Sequence, residues 1–180
     1  MRERILHAYM ELASQQGLDR MTMDEVATRA GVSKRTLYRY FPAKEALLLA
    51  AVEEMKVRLA EKVNQMLTFN LNPDEIVAEI LMSITTHGRF IFNQKGVEDL
   101  RVRYPQIWED IDQFRQQRIQ QVFGSIVRDM DPDVSPAIIT KILLTAVHEV
   151  LNPEFILSNQ LTFEDAARQT SRLLLRMISK

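Results

Sequence analysis

Residues Thr22 to Phe41 read TMDEVATRAGVSKRTLYRYF, and this stretch decides the fold. Thr22 and Glu25 have the spacing of a capping box, in which each side chain satisfies an amide of the other's turn. They start a short helix that ends at Gly31. Ser33 caps a second helix, from Lys34 to about Phe41. The joint between them, Ala30-Gly31-Val32-Ser33, is a turn of helix-turn-helix length carrying its glycine. Ala27 is small where the second helix must cross, and Val26, Val32 and Leu37 are apolar where the two pack. Lys34, Arg35, Thr36, Tyr38, Arg39 and Tyr40 are left largely outward. Such a second helix is expected to enter a DNA major groove with its N-terminal residues near base edges. Lys and Arg donate to guanine, and Thr bonds a base edge or touches a thymine methyl. Tyr hydroxyls and further cations suit phosphates. The same pattern also describes two ordinary packed helices with a glycine turn.

Charge adds to the pattern. Thr28 to Lys44 holds five basic residues, Arg29, Lys34, Arg35, Arg39 and Lys44, and no acid. By itself this is also the signature of a solvated helical face. Lys44 stands at the start of the following helix, whose amide dipoles favour an anion.

Outward from this stretch every long segment has helical periodicity. Ahead of it, about Glu3 to Gln16 carries the stripe Ile5, Ala8, Tyr9, Leu12 and Ala13, ended by Gly17. Behind it, a long helix from Lys44 places Leu48, Val52, Met55, Leu59, Val63 and Met66 at near-heptad spacing. A break at Asn70 to Pro73, with Asn72 as cap, leads to a fifth helix with Ile76, Val77, Ile80, Leu81 and Ile84 inward. Asn93 to Gly96 reads as a loop, followed by a short helical piece to about Arg103. Pro105 opens a helix with Ile107, Trp108, Ile111, Phe114, Val122 and Ile126 on its apolar side, ended by Asp131-Pro132-Asp133. Ser135-Pro136 starts a largely apolar helix to Leu151, and Thr162 caps the last one, with a wide stripe from Phe163 to Ile178. The expectation is an all-α chain of about nine helices without strands. A three-helix helix-turn-helix head, residues 1–46, precedes a helical bundle, residues 47–180.

The 180 residues suit one domain or a small domain fused to a moderate one. With 46% hydrophobic and 26% charged residues, the balance is that of a globular protein. The absence of cysteine excludes disulfides, thiolate metal sites and cysteine nucleophiles, and suits a reducing cytoplasm. The longest apolar run, Ala46 to Val52, is far short of the roughly 20 residues of a membrane helix. No signal-peptide core, glycine-rich phosphate loop, nucleophile elbow or paired-histidine motif occurs. No enzyme, metal site or cofactor is therefore expected.

Gly17, Thr22, Ala27, Gly31-Val32-Ser33, Thr36-Leu37-Tyr38, Tyr40-Phe41 and Lys44-Glu45-Ala46-Leu47 together resemble the TetR family of bacterial transcriptional regulators. The resemblance is close over about residues 1–50. Beyond that it lies in helix count and order. It implies a cytoplasmic homodimer with two DNA-reading heads on a palindromic operator, and repression relieved by a small, mostly apolar effector. By position it implies DNA contacts from Thr36, Tyr38, Tyr40 and Lys44, with Lys34 and Arg35 setting specificity. Thr22, Ser33 and Arg39 complete the candidate interface. Two departures stand out. Ala43 replaces the usual capping Ser or Asn ahead of Lys44, and the chain opens almost on its first helix, without a basic arm.

In the bundle, the resemblance implies an effector cavity among the middle helices. Phe69, Met82, His87, Phe90, Tyr104, Trp108, Phe114, Phe123 and His148 are its candidate lining. The competing reading of each is plain core packing. The last two helices are the expected dimer interface. The alternatives are a helical protein-interaction module, or a small-molecule binder without sequence-specific DNA binding.

Overall fold

The computed structural model describes residues 1–69, 75, 79, 82–83, 86–91, 94–126 and 135–178. All regular structure among them is helical: α1 (Arg2–Gln16), α2 (Met23–Ala30), α3 (Lys34–Tyr40), α4 (Lys44–Thr68), α5 (Gln94–Arg103), α6 (Pro105–Ile126), α7 (Pro136–Val150), α8 (Pro153–Ser158) and α9 (Phe163–Ile178). The fold is all-α. The expected break at 70–73, the inward set Ile76, Val77, Ile80, Leu81 and Ile84, and the stop at 131–133 lie outside the described residues.

The chain forms two compact units. One comprises Met1–Arg58 with Thr86–Ile111, and the other Leu59–Thr85 with Asp112–Lys180. Helices α4 and α6 each contribute to both.

In the first unit, the expected stripe of α1 is buried, with Ile5, Leu6, Tyr9 and Leu12 shut from water. Val26, Ala27 and Ala30 of α2 and Leu37 of α3 are buried too, and α2 packs on both α1 and α3. Arg2 lies over the Phe41 ring, 5.5 Å from its centroid, so α1 also covers the end of α3. On α4, Leu47, Leu48, Ala51, Val52 and Met55 are buried. Lys56 donates to Glu53 at 2.9 Å and to both Asp110 oxygens at 3.0 and 2.8 Å, tying α4 to α6.

Two elements differ from the sequence reading. Gly96 belongs to α5 and not to a loop. A Cβ there would stand 2.7 Å from the Ile91 carbonyl oxygen and 2.8 Å from that of Phe90. The glycine marks a close backbone approach, not a turn. The six-residue α8 was absent from the reading, because so short a helix shows no apolar stripe.

In the second unit, Val63 and Met66 of α4 pack on Val122 of α6. Leu143 and Val147 of α7 pack on Leu174 of α9, with Ile119 of α6 against them. Thr162 caps α9 as expected, its hydroxyl accepting the Asp165 amide at 3.0 Å. Ile138 and Ile142 of α7 and Leu173 of α9 are at least half exposed in the single chain, at 56%, 50% and 62%.

Candidate nucleic-acid interface

The turn between α2 and α3 is built from local caps. The Thr22 hydroxyl accepts the Glu25 amide at 3.3 Å, and the Glu25 carboxylate accepts the Thr22 amide at 2.7 Å and hydroxyl at 2.8 Å. These bonds hold the Glu25 carboxyl below its usual range. At the other end, Gly31 is left-handed, with φ 62° and ψ 41°. Its amide closes on Thr28 at 3.1 Å, and the Val32 amide closes on Ala27 at 3.0 Å. The Ser33 oxygen then accepts the Thr36 amide at 3.1 Å and shares a 2.9 Å hydroxyl contact with Thr36. Thr22 thus caps α2, and Ser33 caps α3.

Helix α3 buries Leu37 completely, and Phe41 follows it into the core. At about 100° per residue, Arg35 and Arg39 then lie on the side opposite Leu37. Lys34 and Tyr38 flank them on one side, and Thr36 and Tyr40 on the other. Tyr38 is 48% exposed and Tyr40 40%. Arg39 stacks over the Tyr40 ring at 5.4 Å, which steadies both. The structure therefore gathers Lys34, Arg35, Thr36, Tyr38, Arg39 and Tyr40 on one outward surface.

The cations are less bare than the run from Thr28 to Lys44 suggested. Lys34 Nζ lies 2.5 Å from Asp24, and Arg29 lies 2.5 Å from Glu11. Both acids come from earlier helices. Lys44 is half-buried, and its Nζ donates to the Asp19 carbonyl at 2.6 Å. Burial lowers its pKa; Asp19 and Asp99 oppose this, Arg103 adds to it, and Glu25 opposes it. Arg103 in turn pairs with the Asp19 carboxylate at 2.7 Å.

Residues 5–51 match the family model of the bacterial regulatory proteins, tetR family. The head, residues 5–51, is that of the tetR family. The HTH-type transcriptional regulator YvaF of Bacillus subtilis (strain 168), itself uncharacterised, is 26% identical over 171 residues, 90% of this chain and 87% of that protein. The HTH-type transcriptional repressor KstR of Mycobacterium tuberculosis (strain ATCC 25618 / H37Rv) is 44% identical over 64 residues, 36% of this chain and 29% of that protein. Among solved structures, a transcriptional regulator from Cytophaga hutchinsonii ATCC 33406 has the same fold, with a TM-score of 0.73 at 19% identity over 99% of this chain and 98% of that one. YvaF and KstR are both named as HTH-type transcriptional regulators or repressors.

The candidate effector-site residues fall in both units. His87, Phe90, Tyr104 and Trp108 belong to the first, and Phe69, Met82, Phe114, Phe123 and His148 to the second. Phe90 is buried, while Phe69 and Met82 are exposed at 72% and 64%. The Phe123 side chain lies outside the described residues. Burial lowers the His87 pKa, the Arg58 guanidinium adds to this, and Glu54 opposes it. His148 is not a bare polar group on an apolar helix: its Nδ1 lies 3.3 Å from Arg115. Arg115 also donates to the Leu151 carbonyl at 2.9 Å and pairs with Asp112. One turn on, Arg118 lies over the Phe114 ring at 5.2 Å and donates to Gln121 at 2.8 Å. Its Nε, closed from water, has no hydrogen-bond partner. The sequence reading passed over both arginines, although their i, i+3 spacing puts them on the same side of α6. Among the described residues no cluster of acids and histidines fits a metal, and no helix is long and apolar enough to cross a membrane.

Proposed function

We propose that the chain is a ligand-responsive, sequence-specific DNA-binding regulator, acting as a repressor on a palindromic operator. The carrying observation is α3: a capped helix anchored by Leu37, with Arg35 and Arg39 outward and Lys34, Thr36, Tyr38 and Tyr40 flanking them. Arg and Lys bonds to guanine and a Thr contact would read sequence, while Tyr hydroxyls and Lys44 would take phosphates. Thr22 and Ser33 hold the geometry as caps.

A homodimer accounts for the exposed Ile138, Ile142 and Leu173 on α7 and α9, which a second copy would cover. Its two-fold axis matches an operator of two half-sites a helical turn, or a multiple, apart. We place a small, mostly apolar effector in the bundle, with the unpartnered Arg118 Nε as a donor for it. A coupling of about 1–3 kcal/mol would shift operator affinity about 5–150-fold. The proposed division is 1–46 for DNA and 47–180 for effector and dimer, in the cytoplasm.

The test is selection of fragmented genomic DNA on the purified chain at about 0.15 M salt, which screens weak non-specific contacts. Enrichment of a palindromic site supports this function. An intact dimer that enriches nothing, even after unfolding, extraction and refolding, refutes it. A turnover screen addresses catalysis separately.

A further inference from the structure

Asp19, in the loop between α1 and α2, is held through all three of its polar groups. Its amide donates to Asp99 at 3.1 Å. Its carboxylate pairs with Arg103 at 2.7 Å. Its carbonyl accepts Lys44 Nζ at 2.6 Å. Two of these bonds come from α5, some 80 residues along the chain, and the third from the first residue of α4. Residues 86–111 belong to the same compact unit as residues 1–58, so α5 is part of the body that carries the head. The match to the family's DNA-binding model ends at residue 51 and does not include it.

We propose that Asp99 and Arg103 are positioning residues of the DNA interface, acting through Asp19 on where the Lys44 ammonium stands and how readily it passes to a phosphate. This rests on the DNA-binding function proposed above. Arg103 neutralises the Asp19 carboxylate. Without it, that carboxylate competes with phosphate for the neighbouring ammonium. Asp99 fixes the Asp19 amide and adds a negative charge of its own near Lys44. Without that charge, the ammonium is held less tightly.

The two residues therefore act on Lys44 with opposite sign. Arg103→Gln weakens DNA binding, and Asp99→Asn strengthens it. Any charge change near DNA shifts affinity in these directions, so the decisive reading is a double-mutant cycle with Lys44→Gln. A path through Lys44 makes both effects collapse in that background. Residues in one hydrogen-bond and ion-pair network couple by at least about 0.5 kcal/mol, so each Kd ratio should differ between the two backgrounds about two-fold or more. Fluorescence anisotropy of the full chain on a random-sequence duplex, across a salt series, measures this. In the same series Arg103→Gln should lower the salt slope toward that of Lys44→Gln, a readout that a purely structural loss leaves unmoved. Asp99→Glu, keeping charge and acceptor, should restore the wild-type value. Equal ratios in both backgrounds overturn the assignment alone. If Asp99→Asn fails to fold, the Arg103→Gln cycle decides by itself. A wild-type chain that binds no duplex overturns the DNA-binding function and this assignment together.

Discussion

Gly31→Ala isolates one backbone angle. Gly31 stands at φ 62°, in the left-handed region. A side chain with a Cβ pays roughly 1–2 kcal/mol there. The space itself is open: the nearest atom to an added Cβ is Arg4 Nη2 at 3.9 Å, an ordinary contact. The hydrogen bond from that atom to the Gly31 carbonyl, at 3.0 Å, is unaffected by the substitution. Alanine also stiffens the unfolded chain, which offsets about 0.4–1 kcal/mol. The net loss is at most about 1.6 kcal/mol, or up to about 6 °C in melting temperature for a chain of this length. Gly31→Asn should lose less, because Asn visits this region routinely. Thermal unfolding followed by circular dichroism ranks the three proteins. An alanine variant that melts at or above the asparagine variant would refute the backbone argument.

Other perturbations follow from the same geometry. Thr22→Ala removes the capping oxygen and should cost about 0.5–2 kcal/mol, read by urea unfolding. The Glu25 carboxyl is held low in the folded state, so its stabilisation is present above its unfolded value near 4.3 and fades as pH falls through the lower folded value. Glu25→Gln should flatten that acid limb of the stability profile. Leu37→Ala empties a fully buried site and should cost about 2–5 kcal/mol, unfolding the head ahead of any effect on DNA contacts. Lys34→Ala with Arg35→Ala should abolish operator preference in the DNA selection. Lys44→Ala should weaken all sequences and lower the salt slope by about 0.9, with an unchanged slope counting against a phosphate contact.

What was legible in the sequence was local. Thr22 with Glu25, Gly31, Ser33 and Thr162 all act within a few residues, so spacing alone identifies them. The stripe of α1 was legible because one helical period exposes it. Gly96 was misread because its reason lies in the carbonyls of Phe90 and Ile91, and a glycine after Asn93-Gln94-Lys95 looks like the end of a turn. Helix α8 was missed because six residues carry no period. At the candidate site, the residue types on α3 were legible, but their partners were not. The carboxylates of Asp24 and Glu11 reach Lys34 and Arg29 only once three helices have packed. The partner of His148 was not legible because Arg115 stands 33 residues away.

The Lys34–Asp24 pair gives the head a threshold toward polyanions. Both side chains are more than half exposed, at 67% and 57%, so the pair is worth little and opens easily. While it is closed, a passing RNA or heparin strand meets one cation fewer than composition advertises. A partner that aligns an acceptor with Lys34 displaces Asp24 and recovers the full charge. The acid of α2 thus lowers the charge that Lys34 presents to any polyanion by a small, salt-sensitive amount.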